Sequence, residues 1–132
     1  MRFMFRQLAT IATLSITLFC LSCSSPEIDL GKFDKKKWKS DRYGCAGLRS
    51  KMSAEVTYVT NQLAEQREVV VRENLGLPDR EELDARMKKT LYYFMEPGPK
   101  CDSSLSKPIK TLAIELDPVG REVKLVTFQL IR

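Results

Sequence analysis

From residue 48 to residue 63 the apolar side chains Leu48, Met52, Val56, Val59 and Leu63 recur at steps of 4, 4, 3 and 4. That spacing lines one stripe of a helix, with Arg49, Ser53, Thr57 and Thr60 on its other sides. A second helical pattern carries Val70, Val71, Asn74 and Leu75. It ends where Gly76 suits the position just past a helix and Pro78 forbids continuation. Between the two, "AEQRE" (64–68) offers no Gly, Pro or Asn, so the pattern predicts two nearly continuous helices.

From Asp79 to Lys89 the sequence "DREELDARMKK" is rich in helix formers and opens with acids suited to a helix N-terminus. Arg80/Asp84, Glu82/Arg86 and Asp84/Lys88 pair at i,i+4, and Leu83, Met87 and Leu91 fall on one side, which argues a third helix. The period then changes. "TLYYFM", "TLAIEL" and "EVKLVTFQL" are short, β-branched and aromatic; Leu112, Ile114 and Leu116 alternate with other residues, as do Val126, Phe128 and Leu130. "DPVG" (117–120) is a turn between the last two strands, and "EPGPKCDSSLSKP" (96–108) holds too many breakers to be anything but a loop. Helices first and a meander afterwards predict an α+β fold, with N-terminal helices packed on one face of a three-stranded antiparallel sheet.

Ahead of this domain the chain reads differently. "MRFMFRQ" supplies two arginines and no acid, and Leu8 to Leu21 is an uncharged apolar run of 14 residues. That is the layout of an export signal, too short for a spanning helix of about 20 apolar residues. At its end Ser22 precedes Cys23, then Ser24 and Ser25. A small residue directly before a cysteine resembles the lipobox of bacterial lipoproteins. The resemblance implies cleavage before Cys23 and acylation of its sulfur and new amino group. Cys20 and Cys23 also make a C-x-x-C. A redox pair belongs at the start of a helix in a folded domain, and a zinc site needs four ligands, whereas the chain has no histidine and only two further cysteines. The organisation expected is therefore residues 1–22 as signal peptide, 23–32 as lipidated tether and 33–132 as one α+β domain. The tether from Ser24 to Lys32 would reach roughly 30 Å at most.

Charge adds little by itself. The net charge is +5, and 20 basic against 17 acidic residues remain after residue 22, too mild a balance to argue for nucleic acid. The distribution is uneven: residues 31–51 carry eight basic and two acidic side chains, residues 55–84 three basic and eight acidic. Lys35, Lys36, Lys37 and Lys39 surround Trp38, so they are candidates for contact with anionic head groups, while Trp38 itself reads as a core anchor. Cys45 and Cys101 are the pair left in an oxidising compartment, where a disulfide is the default.

"WKSDRYGC" (38–45), Arg49, "LGLPD" (75–79) and "YYFMEPGPKC" (92–101) together resemble a group of small Bacteroidetes-type lipoproteins. The C-terminal half in turn is similar to the BamE-like (SmpA/OmlA) outer-membrane lipoproteins: Leu75, Gly76 and Pro78 match their helix-ending turn, and Ala113 to Leu116 and Gly120 their late strand and turn. The likeness spans Phe33 to about Phe128. Those families usually place Gly and then Ser or Thr between the two helices, where Glu65 and Arg67 stand here. They also imply an extended segment after Pro78, against the local helix propensity.

The function these features predict is a non-catalytic scaffold or interaction module in envelope assembly. It would be held to membrane lipid through acylated Cys23, face the periplasm at the outer membrane and bind an envelope protein. The alternative is an inhibitor or immunity-type lipoprotein against a secreted hydrolase, with Pro97, Gly98, Pro99 and Lys100 in the inserting loop. No metal, cofactor or catalytic residue is expected. Ser103, Ser104 and Ser106 beside Lys107 lack a nucleophile turn, and the acids of residues 79–84 do not form a calcium loop.

Overall fold

A computed structural model describes residues 28–132; the leader and Cys23 lie outside the described residues. Helix α1 (Lys35–Ser40) is started by Asp34, whose Oδ1 accepts the N–H groups of Lys36 and Lys37, both at 3.0 Å. A 3₁₀ turn at Arg42–Gly44 leads to α2 (Leu48–Lys51) and α3 (Ser53–Gln62), followed by α4 (Glu68–Leu75). Four strands follow in chain order, β1 (Arg80–Leu83), β2 (Lys89–Phe94), β3 (Ile109–Leu116) and β4 (Val123–Ile131), all antiparallel to their neighbours.

The α+β class is as the pattern predicts, but the sheet has four strands where three were expected. The extra strand is β1, formed where i,i+4 charge pairing argued a helix. Its residues are all exposed, so no apolar alternation announces it. The turn that makes it possible is built by Asp84, whose Oδ1 accepts the N–H groups of Arg86 and Lys88, both at 2.9 Å. Met87 takes a φ of +62° and closes back onto the Asp84 carbonyl. Of the charges expected to pair along a helix, Arg80 pairs with Glu82 within β1 and Lys88 reaches Glu115 of β3 at 2.8 Å, while other charges tie β1 and β2 to α4. Arg72 reaches Glu68 at 2.6 Å and Glu81 at 2.9 Å, and Lys89 reaches the same two at 2.7 and 2.9 Å.

Desolvation acts to raise both carboxyls of this cluster, and the hydrogen bonds from Lys89 and Arg72 outweigh it, holding Glu68 and Glu81 below ordinary values. A carboxyl lowered in the folded state contributes stability that is present above its unfolded value, near 4.5, and lost as pH falls through the folded one. The urea midpoint is therefore expected to fall on acidification below about pH 4.5, and to fall less in E68Q. An equal acid loss in wild type and E68Q would exclude the cluster as its source.

Two apolar layers flank the sheet. Leu91 and Tyr93 of β2 with Leu112, Ile114 and Leu116 of β3 join Trp38, Met52, Val56, Val59, Leu63, Val71 and Leu75 in the main core. Tyr92, Phe94, Ile109 and Ala113, on the alternate positions, form a smaller cluster to which Tyr43 of the 3₁₀ turn adds its ring. The helical stripe is real, yet it is interrupted at Met52, and the expected continuity between the two helices fails. α3 ends at Gln62, and Glu65 adopts a φ of +62° before Arg67, in extended conformation, precedes α4. The Glu65 N–H donates to the Val123 carbonyl at 3.0 Å, so the break is held by the sheet. A left-handed conformation strains any side-chain-bearing residue, and E65G is expected to raise stability by about 0.5–1 kcal/mol in urea unfolding. An unchanged or lower midpoint would show that Glu65 is not strained.

Part of the expected tether belongs to the folded body. Ile28 and Leu30 pack against the main core, and the Tyr58 hydroxyl donates to the Asp29 carboxylate on the flank of α3.

Candidate functional site

The residue that sequence periodicity places on the polar side of its helix, Arg49, is fully buried. Three features bring it inside. Asp41 folds the chain between the 3₁₀ turn and α2: its carboxylate accepts N–H groups of Ala46 and Leu48 at 2.7 Å and of Arg49 at 2.9 Å. Trp38, also fully buried, lies under the guanidinium at 4.8 Å and donates its indole N–H to the Leu75 carbonyl at 3.1 Å. Asp79, just past the helix-ending turn, supplies the counter-charge.

Arg49 Nη1 donates to Asp79 Oδ2 and to the Phe94 carbonyl at 3.2 Å, and Nε donates to the Trp38 carbonyl at 3.2 Å. The Asp79 carboxylate also accepts the Phe94 N–H at 2.8 Å, the Tyr43 N–H at 3.1 Å and Arg42 Nε at 3.1 Å. One carboxylate thus ties the 3₁₀ turn, α2 and β2 together. The other guanidinium nitrogen, Nη2, is buried with no hydrogen-bond partner among the described residues. Burial pushes the neighbouring Tyr93 phenol well above its ordinary range, so it remains a neutral donor to the Gly76 carbonyl at 2.9 Å.

Beside this pair lies a pocket of ≈ 200 Å³ lined by Lys39, Arg42, Arg49, Leu75, Gly76 and Leu77. Arg49 and Leu75 are buried and form its floor; Lys39, Arg42 and Leu77 are exposed and form its rim. Lys39 Nζ donates to the Glu73 carbonyl at 2.8 Å, which lays its stem along Gly76. A side chain at Gly76 would begin 3.1 Å from Lys39 Cγ, and its φ of +79° is one that glycine adopts without strain.

The other sequence-predicted residues sort as follows. Cys45 and Cys101 are bonded, 56 positions apart with Cα atoms at 5.4 Å. Beside the bridge the backbones of Gly44 and Glu96 nearly touch: a Cβ on Gly44 would sit 2.8 Å from the Glu96 nitrogen. Lys36, Lys37 and Lys39 are exposed on α1 and Lys35 is half-buried. In the loop, Pro99 and Lys100 are exposed, Pro97 half-buried and Gly98 buried, with the Gly98 carbonyl accepting the N–H groups of Cys101 and Asp102 at 2.9 and 3.1 Å. The bridge joins that loop to the segment after α1. The sequence pattern makes Asp79 a helix-starting acid, and only the pairing of Arg49 in "LRSK" with an acid 30 positions away points to its place inside the fold. Comparisons of the chain with protein-family models, curated proteins and solved structures give no match.

Proposed function

We propose that the chain is a lipid-anchored lipoprotein of the bacterial envelope, facing the periplasm at the outer membrane and acting as a non-catalytic interaction module in envelope assembly. The observation that carries this reading is the Cys45–Cys101 bridge, because a structural disulfide belongs to an exported, oxidising compartment, the one the leader implies. The buried polar residues support it too: Asp41, Arg49 and Asp79 are spent on holding segments together. The resemblance to BamE-like lipoproteins points the same way, and β4 is an edge strand of the sheet bearing exposed Leu125, Phe128 and Leu130.

Ile28, packed on the core, stands five positions after Cys23, a reach of roughly 17 Å at most. The body would therefore ride close to the bilayer, with the lysines of α1 available to anionic head groups. Mass spectrometry of the protein from its native envelope tests the anchor: the mature chain is expected to begin at Cys23 and carry acyl groups, and C23A to remain uncleaved. An unmodified chain retaining its leader would sink the reading. A pull-down from detergent-solubilised envelope tests the interaction role, and recovery of no membrane protein would count against it.

A second reading, an inhibitor of a secreted hydrolase, is favoured by the stapling of the 96–108 loop through Cys101, since a preorganised loop binds at lower entropic cost. A binding screen against lysozymes and peptidases tests it, and no affinity for any removes its motive.

A further inference from the structure

We propose that the pocket between α1 and the end of α4 binds a phosphate group. Its wall is cationic on three sides, from Lys39, Arg42 and Arg49, and no carboxylate of the described residues lines it. Asp79 pairs with Arg42 and Arg49 from behind and offsets one of the three charges, leaving two. A doubly charged oxyanion is the ligand that balances this. Tetrahedral phosphate also accepts hydrogen bonds in several directions at once, as donors arriving separately from a floor and two rim side chains require.

The floor carries the second, independent sign. Arg49 is fully buried and makes hydrogen bonds through Nε and Nη1, yet Nη2 has none among the described residues. A buried charged donor without an acceptor is costly, and natural interiors rarely leave one unfilled. Arg49 is held rigidly by Asp79, the Trp38 and Phe94 carbonyls and the Trp38 ring, so it would present a fixed donor to a ligand. Gly76 keeps the pocket open: a side chain there would press on the Lys39 stem that forms one rim. Leu75 and Leu77 give the remaining wall an apolar character suited to the carbon stub of a phosphate ester.

The phosphate could belong to a phospholipid head group or be free, and the chemistry at the pocket is the same. The test is a titration of the full chain in detergent micelles with inorganic phosphate, followed through its backbone and side-chain N–H NMR signals. Trp38, the sole tryptophan, lies against the Arg49 guanidinium and donates to the Leu75 carbonyl, so its indole N–H reports on the residues of the pocket floor. Saturable shifts at Trp38 and Arg49 are expected, weakened about tenfold or more in K39Q and in R42Q. Both side chains are exposed, and urea unfolding confirms that the variants fold. No shift at these signals, an affinity unchanged in both variants, or acetate binding as tightly as phosphate would each overturn the proposal. Dihexanoyl phosphatidate, added below its micellar concentration, names the source. Competition with tighter binding than inorganic phosphate assigns a lipid head group, and equal or weaker binding assigns free phosphate. The outcome is independent of whether Cys23 is acylated.

Discussion

Replacing Asp79 with alanine is expected to cost about 3–5 kcal/mol of folding stability, a large share of the 5–15 kcal/mol typical of a domain. The side chain is fully buried and accepts hydrogen bonds from Arg42, Tyr43, Arg49 and Phe94. Its loss would strand the Arg49 charge in the core and leave the N–H groups of Tyr43 and Phe94 without their acceptor. The charge is the larger part, because a buried ion with no partner is penalised far more than a neutral donor. D79N, which keeps the shape and removes the charge, should fall between wild type and D79A. Converting both partners to apolar residues in R49M/D79L should recover much of the loss, since the desolvation cost of both ions is removed with them. Urea unfolding of the set checks this ordering. A cost below about 1 kcal/mol for D79A would mean that the pair does not hold the fold together.

The second large effect is expected at the disulfide. Cys45 and Cys101 close a loop across 56 positions, and in the chain-entropy account releasing such a loop costs about 4 kcal/mol. C45A/C101A should therefore unfold at clearly lower urea than wild type, and wild type in reductant should approach the variant. Two free thiols titrated in the unreduced protein would overturn the bridge itself. The two effects should not simply add. The bridge and the Asp79 network pin the same stretch, Asp41 to Arg49, and once one tie is cut that stretch is freer to leave the other.

The Asp79 network also marks the limit of what the chain pattern conveys. Strands β2, β3 and β4 are legible because they are short runs of β-branched, aromatic and aliphatic residues with the two-residue period of a strand. The apolar stripe from Met52 to Leu63 and the stop at Gly76 are equally plain. β1 is not, since an exposed edge strand buries nothing, and its "REEL" carries the same charges a solvated helix would. What decides the conformation is the Asp84 turn and the pairing of Glu81 with Arg72 and Lys89, both visible only once β2 is in place. Arg49 fails for a related reason. A helical wheel assigns a charge to solvent by default, and its burial depends on an acid 30 positions downstream and a tryptophan 11 positions upstream. The disulfide was foreseeable from counting cysteines. The pocket beside Arg49 was not, because its lining comes from α1, α2, the 3₁₀ turn and the end of α4.

The position of the bridge has a mechanical consequence. A pull on the two ends of the described chain is transmitted through covalent bonds, and at Cys45 the load crosses directly to Cys101. Residues 46–100, which include α2, α3, α4, β1 and β2, lie off that path and cannot be drawn out however far the ends are separated. Only the stretch before Cys45 and the stretch after Cys101 can lengthen. Under tension the body would shed α1 from one end and β4 and β3 from the other, and keep its middle as an unextended bead. In a reducing solution the same pull would reach every element.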